Sequence, residues 1–469
     1  MSISQLFIIA AFAFLVGQLR RGRSLVLLGV SAFIIYWLQP PQDLITLTFW
    51  LPTLTLAITV FSWLVTSTPE VRSWKQNLTA ITILLSMIIF MDLNRYFRLE
   101  AIFTSATPRP QWIIALIAVL LLIALLIAQF REFPPIVFAI VTIVLIGLFV
   151  LIKVPSALST LFEMVSALRG KGAIGFISLS WLGFSYVAFR LLHTILDRKA
   201  GRLQAVTLSE YVNYAIFFPS ITAGPIDRLE RFDRDLNCPL PLDRAGWMEA
   251  GTRFFLGLFK KFVIADTLAW IALNDVFAQQ VSSPAWMWVL LYSYSLRIYF
   301  DFSGYTDIAI GLGRLLGVRL PENFAAPYLK QNLTQFWNSW HMTLTQWFRS
   351  YFFNPLTRAL RSNKQLPSFF IIFVVQISTM VLIGLWHGVT PGFILWGLWH
   401  GIGLFIQNRW SDFMKGRLPA WAETHTGKTI LRASGVFLTF NFVSLGWLFF
   451  ALSTPAKVWN VMAILFGVA

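Results

Sequence analysis

Apolar stretches about as long as a hydrocarbon core is thick recur along almost the whole chain, and they limit its fold more than any other feature. Inside a bilayer every backbone N–H and C=O must be satisfied by the protein itself, so helices of roughly 20 residues or closed barrels are the structures that span it. The first run, Ile3 to Leu19, has no Lys or Arg before it and has Arg20, Arg21 and Arg23 after it, the reverse of a secretory signal's charged start. It reads as a retained span whose C-terminal end is inside. Further spans are expected at 24–38, 44–66, 77–91, 111–129, 133–152 and 173–192.

Composition points the same way. The 469 residues are 57% hydrophobic and 12% charged, with a mean hydropathy of +0.69, whereas soluble domains carry roughly 25% charged residues. The expected fold is all-α and polytopic, with about 11 to 14 membrane helices plus short re-entrant or interfacial helices. Alternation of the spans puts Arg72 with Lys75, Arg131 and the run Asp197 to Arg202 inside, as the excess of Lys and Arg on cytoplasmic loops requires. Arg95, Arg98 and Arg109 fall outside, in a loop that also carries Asp92 and Glu100, and form an exception. The net charge of +16 is scattered over short loops and not gathered on one soluble face, which argues against nucleic acid and for the lipid membrane, with its anionic headgroups, as the partner. The one cysteine, Cys238, excludes an intramolecular disulfide and a thiolate metal cluster.

From about residue 205 the apolar segments shorten and are broken by Pro, Gly and charge. Irregular backbone at membrane depth is tolerated where protein buries it or where it lines a watery cavity, so a site belongs there. FFPSITAGPIDR (217–228) reads either as a re-entrant segment or as an interhelical turn. In YFDFSGYTDIAIGLGRLLG (299–317), Asp301 and Asp307 interrupt an apolar run, where carboxylates tend to be functional or firmly paired. The glycines at 311, 313 and 317 are spaced GxGxxxG with no strand before them, a weak match to a nucleotide loop, and Gly313 and Gly317, four apart, suit close helix packing better.

FWNSWHMTLTQWFRSYFFNPL (336–356) repeats Trp337, Trp340, His341, Leu344, Trp347, Phe348 and Tyr351 at helical three and four spacing. The expectation is one amphipathic, aromatic interfacial helix that Pro355 helps to stop, with His341 on the aromatic face. IGLWHGVTPGFILWGLWHGIG (383–403) reads as a helical hairpin in which the run from Phe369 to Trp386 ends at His387 and a second helix returns through His400. Arg358, Arg361 and Lys364 precede it, and Arg409, Lys415 and Arg417 follow. With both basic loops inside, the tip bearing His387 points to the outer half of the membrane. Each histidine alone also fits a buried neutral imidazole bonded to a carbonyl, but three of the five in the chain fall in this one aromatic third. No close His pair with a carboxylate third ligand is visible, so no metal is expected.

Five ordered motifs, GFSYVAFRLLHTILD, FFPSITAGP, DFSGYTDIAIGLGRLLG, FWNSWHMTLTQWFR and GLWHG followed by LWGLWHG, resemble those of the membrane-bound O-acyltransferases. The likeness is strongest to the bacterial branch that includes alginate O-acetyltransferases and teichoic acid D-alanyl transferases. It implies one continuous membrane domain with N-terminal spans over 1–172, a catalytic core over 173–410 and C-terminal spans over 411–469, in a bacterial plasma or inner membrane. It further implies that His387 is the family's essential histidine and His341 its second, with Asn338 beside it. Relatives often have Arg where Ser339 stands and Asp where Ser350 stands, a departure that touches local ion pairing.

Acyl transfer from a thioester to an alcohol needs a base for the hydroxyl proton, and imidazole is matched to that near neutral pH. His387 is the expected base, and His341 or Asn338 the donor to the oxyanion. Trp337, Trp340, Trp386, Asp301 and Asp307 complete the expected substrate-binding set. No permanently bound cofactor is expected. The acyl donor, acetyl-coenzyme A or an acylated carrier protein, is a substrate, and the acceptor is a cell-surface glycan reached directly or through a partner transferase outside. D-alanyl transfer toward teichoic acid is the alternative. A transporter, which lacks the support of an inverted repeat, and a non-catalytic scaffold, in which His387 would tolerate substitution, are the other readings.

Overall fold

The apolar runs fold as helices, because a span without water must close its own backbone hydrogen bonds. The computed structural model describes residues 1–19, 21–42, 44, 46–97, 107–130, 132–154, 156–157, 159–160, 163–164, 179–417 and 419–468. Arg20, Arg98, Glu100, Arg131 and the first part of the span expected at 173–192 lie outside the described residues. Among the described residues every regular element is helical, and six helices are long and apolar enough to cross a membrane.

The described chain clusters into two compact units. The first comprises Met1–Phe254 and Ile308–Pro321. It holds α1 (Ile3–Gly17), α2 (Arg23–Trp37), α3 (Leu47–Thr66), α4 (Trp74–Phe97), α5 (Pro110–Ala128), α6 (Pro135–Lys153), α7 (Phe184–Lys199), α8 (Leu208–Ala215), α9 (Leu229–Asn237) and α10 (Arg244–Leu258) for most of its length. Capping boxes at Ser2 with Gln5 and at Thr207 with Glu210 begin α1 and α8, and prolines in the first turn begin α5 and α6. Side chains on α5 and α6 such as Ile114, Leu125, Ile136 and Ile143 are exposed, an apolar surface that suits hydrocarbon and not water.

Two buried arginines tie this unit together, and one revises the sequence reading. Arg23, read as an orienting loop charge, is the first residue of α2 and only 8% exposed. Its guanidinium donates to the carbonyls of Leu316 (2.7 Å), Asp235 (3.2 Å) and Leu236 (2.6 Å), carbonyls at or just beyond helix C-termini that have no acceptor role inside a helix. Arg190 on α7 is 1% exposed and donates to the carbonyls of Tyr214 and Ala215 at 3.0 Å and to Ser220 Oγ at 2.6 Å. The segment 217–228 is irregular and largely buried, with a short 3-10 turn at Phe218–Ser220, and the same arginine also reaches the Ser220 carbonyl at 3.2 Å.

The second unit comprises Phe255–Asp307 and Glu322–Ala469. It holds the greater part of α11 (Pro284–Leu315), whose last residues belong to the first unit, followed by α12 (Leu333–Trp337), α13 (Met342–Phe348), α14 (Asn354–Arg361), α15 (Ser368–His387), α16 (Pro391–Met414), α17 (His425–Gly446) and α18 (Pro455–Leu465). A π-helical turn, Phe259–Ala265, presents Lys260 and Lys261 to α11. The lack of a side chain at Gly304 lets it approach, since a Cβ there would lie 2.8 Å from the Gly257 carbonyl oxygen and the Lys261 nitrogen. Of the expected packing pair, Gly313 faces the turn that follows it, where a Cβ would lie 3.1 Å from the Val318 oxygen, and Gly317 lies past the helix end at φ 72°; the close approach to another helix falls instead at Gly311, whose Cβ would meet the Ala250 oxygen at 2.8 Å.

The single aromatic helix expected over 336–356 is broken. Asn338 ends α12, His341 takes a left-handed conformation (φ 42°, ψ 53°), and α13 starts anew at Met342. Pro355 stops nothing: α13 runs on through a π-helical turn, Arg349–Phe353, into α14, and the proline sits just past that turn.

Candidate active site

Each of the three histidines is delivered by a different local device. His387 is the last residue of α15, and α16 returns beside it because glycines occupy the contact: a Cβ on Gly397 would lie 2.6 Å from both the Met380 oxygen and the Val381 Cα, and one on Gly384 would collide with the Phe393 carbonyl. His400 on α16 is fully buried, and the absence of a side chain at Gly446 makes room for its ring. His341 sits at the α12–α13 break and is 2% exposed.

The rings meet in one aromatic cluster. His387 lies against Trp386 (4.5 Å between centroids), Phe450 (4.8 Å), Trp396 (5.6 Å) and Phe393 (6.0 Å). Trp386 also contacts His341 at 5.8 Å, and the edge of Phe302 closes the other side of that ring at 4.7 Å. Trp396 contacts His400 at 5.0 Å and Trp337 at 5.7 Å, and Trp337 contacts His400 at 5.2 Å. Thus two imidazoles, His387 and His341, share one indole.

Polar atoms inside the cluster stand without hydrogen-bond partners: His341 Nε2, both ring nitrogens of His400, and the indole N–H groups of Trp337 and Trp396. A buried unmade hydrogen bond costs about 1–3 kcal/mol, so the cluster is poor as a core and suited to receiving the oxygens of a bound molecule. His341 itself lies in none of the six helices that are long and apolar enough to cross a membrane. Burial lowers its pKa to about 3, so the ring is neutral at pH 7.

Of the other expected residues, Asn338 accepts a hydrogen bond from Arg349 (2.7 Å). Both face a cavity of about 320 Å³ that is also lined by Trp337, Gln376, Thr379 and Asn408. Trp340 packs among Tyr299, Phe324, Tyr328, Phe336 and Trp447. Asp307, nearly buried, is paired with Lys260 at 2.6 Å, and the half-exposed Asp301 with Lys261. In the first unit His193, Asp197 and Glu230 place their ligand atoms within 4.8 Å of one another. There His193 Nε2 lies 2.9 Å from Asp197, Arg202 holds the other oxygen of that carboxylate at 2.6 Å, and His193 Nδ1 meets Tyr214 Oη at 2.9 Å.

Comparison with known proteins decides the class. Residues 33–453 match the model of the MBOAT, membrane-bound O-acyltransferase, family. The chain belongs to that family. It is 34% identical over 284 residues to a teichoic acid D-alanyltransferase of Streptococcus thermophilus, with 58% of this chain and 68% of the relative covered. It is 35% identical over 291 residues to a probable alginate O-acetylase AlgI of Azotobacter vinelandii (61% and 54% covered) and 34% identical over 282 residues to a peptidoglycan O-acetyltransferase of Helicobacter pylori (56% and 49% covered). The match spans about half the length of the latter two. This MBOAT protein is thus a multi-pass membrane acyltransferase. Sequence reasoning left out Trp396, Phe450 and Phe393 from the walls around His387. Phe393 and Trp396 stood in the quoted hairpin stretch among many other apolar residues, while Phe450 lies 63 residues beyond His387 with no motif around it.

Proposed function

We propose that this protein is an O-acyltransferase that moves an acetyl group from a cytoplasmic thioester to hydroxyls of an extracytoplasmic cell-surface polysaccharide. The observation that carries the chemistry is the pair of imidazoles joined by Trp386 in a dry aromatic box. His387 accepts the proton of the acceptor hydroxyl as its oxygen attacks the thioester carbon. The C–O bond forms, the oxyanion is received by the His341 imidazole or the Asn338 amide, and the C–S bond breaks as the thiolate leaves with that proton. Water exclusion by the indoles protects the thioester and strengthens every polar contact inside.

The cavity beside Asn338 and Arg349 suits the donor. It is lined by residues of α12, α15 and the later part of α16, with the Arg349 guanidinium among them; Arg358, Arg361 and Arg409, which the loop-charge rule puts inside, precede and follow the α15–α16 hairpin in the chain. Acetyl-coenzyme A and an acylated carrier protein both fit this role, and no permanently bound cofactor is needed. The glycan acceptor approaches His387 from outside, directly or through a partner transferase. The names of the alginate and peptidoglycan relatives support acetyl transfer; those of the Streptococcus thermophilus and Bacillus subtilis relatives support a second reading, D-alanyl transfer toward teichoic acid.

The test is to express His387→Ala in a deletion strain and measure acetate and D-alanine released from the cell surface by mild alkali. The native chain restores acetate, and His387→Ala, inserted in equal amount, does not. Restoration of D-alanine instead selects the second reading. More than about a tenth of native activity in His387→Ala removes this residue as the base, since such groups contribute roughly 10²- to 10⁴-fold.

A further inference from the structure

Among the described residues only His341 and Ala326 are non-glycine residues with positive φ. A left-handed L-residue crowds its Cβ against the following carbonyl, and such a conformation persists only where the surroundings over-determine it. At His341 a large part of that constraint comes from Asn323, which is fully buried. Its carbonyl accepts from the Met342 N–H at 2.9 Å. Its side-chain Oδ1 accepts from the Thr343 hydroxyl at 2.6 Å and from the Thr343 N–H at 3.3 Å. Two residues on, the Ala325 N–H donates to the Ser339 carbonyl at 3.0 Å. The backbone is therefore pinned on both sides of His341 by the segment 323–325.

We propose that Asn323 is a positioning residue of the transfer reaction: it locks the left-handed turn that aims the His341 imidazole between Phe302 and Trp386. The inference rests on the reading of His341 given above. The orientation of the amide follows from its partners. Because a backbone N–H only donates, the oxygen of Asn323 must face Thr343, and Nδ2 then points away. That Nδ2 is buried and without a partner, a loss that a residue serving stability alone would not retain, since an apolar side chain of the same shape leaves no donor idle. What the asparagine supplies in return is an acceptor at the start of α13, where helical N–H groups have none. The geometry thus assigns it to the conformation of the preceding residue, which is the histidine.

Three measurements test this on the full-length protein in detergent. Hydrogen–deuterium exchange over 336–348 needs no substrate: Asn323→Leu is expected to lose protection at Met342 and Thr343 and keep it in the rest of the second unit, and unchanged protection there overturns the clamp. Kinetics use acetyl-coenzyme A as donor probe, with thiol release onto alkali-treated cell-surface polysaccharide. Asn323→Leu is expected to lower kcat about tenfold or more with KM within about twofold, and Thr343→Val, which keeps volume and removes one hydroxyl, to lower kcat a few-fold. In a His341→Ala background the same substitutions change the residual kcat by less than about twofold, because a residue acting through the imidazole has nothing left to position. Equal losses in both backgrounds overturn the proposal, as does normal kcat in Asn323→Leu and Thr343→Val. Should Asn323→Leu fail to fold, Thr343→Val decides alone. Normal turnover in His341→Ala is a different failure, that of the functional reading, and the positioning role falls with it.

Discussion

His341 gives the sharpest contrast at the scale of the residue, because the same ring is a packing element and a candidate oxyanion donor. If it donates, His341→Ala loses about 10²- to 10³-fold in kcat, as for one missing oxyanion-hole donor, while His341→Gln keeps a donor and retains more. Normal turnover in the alanine variant would leave His387 to act without it. Its burial makes a separate prediction about pH. The folded pKa is about 3 and the unfolded one near 6.5, so the unfolded chain takes up the proton first. Stability that is full above pH 6.5 declines as the pH falls toward 3, by at most about 1.4 kcal/mol per pH unit. Melting temperatures of His341→Gln should therefore fall less than those of the native protein between pH 7 and pH 5; identical slopes would show that another group carries the acid sensitivity.

At the scale of the element, the α15–α16 hairpin carries His387 and His400 and is set by its glycines. Gly397→Val would force the helices apart, because its added atoms meet the backbone at Met380 and Val381 and not the end of a flexible side chain. The expected cost is about 1–3 kcal/mol, seen as a lower melting temperature together with reduced kcat, since the wall around His387 moves with α16. A variant that is less stable yet turns over normally would uncouple the hairpin contact from the site. The hairpin itself was legible in the sequence: an apolar run, a Gly-Val-Thr-Pro-Gly turn and a second run admit little else, and the helix bounds differ from those expected by a residue or two. The stretch 336–356 was not. Helical periodicity there is real on both sides of His341, but one left-handed residue shifts the phase, and that residue is fixed by Asn323, some 18 positions earlier in the chain.

At the scale of the whole molecule the arrangement in the membrane is the testable quantity. In a Cys238→Ser background, a cysteine at Thr390 should react with a membrane-impermeant thiol reagent from outside, and one at Ser362 only after the membrane is opened. The reverse pattern would invert the path proposed for donor and acceptor and would place His387 toward the cytoplasm. Residue 390 begins α16 with its side chain on the Phe393 N–H, and residue 362 follows α14 on the surface, so both are open to a small reagent.

Hydropathy and charge by themselves determined that this chain is helical and crosses a membrane, because an apolar run of that length has no other way to satisfy its backbone. Motif order determined the family and singled out His387 and His341 as the proposed pair, because a short glycine- and tryptophan-rich hairpin carries its histidine wherever it packs. Only the tertiary structure decided the partners. Asp301 and Asp307 read as either functional or firmly paired in an apolar run, and each faces a lysine of a π-turn some forty residues earlier. Arg23 read as a loop charge and closes three carbonyls from distant helices. Such pairings join residues far apart in sequence, where no local periodicity records them, and their directionality is set by the fold that brings a donor to an acceptor left over at a helix end.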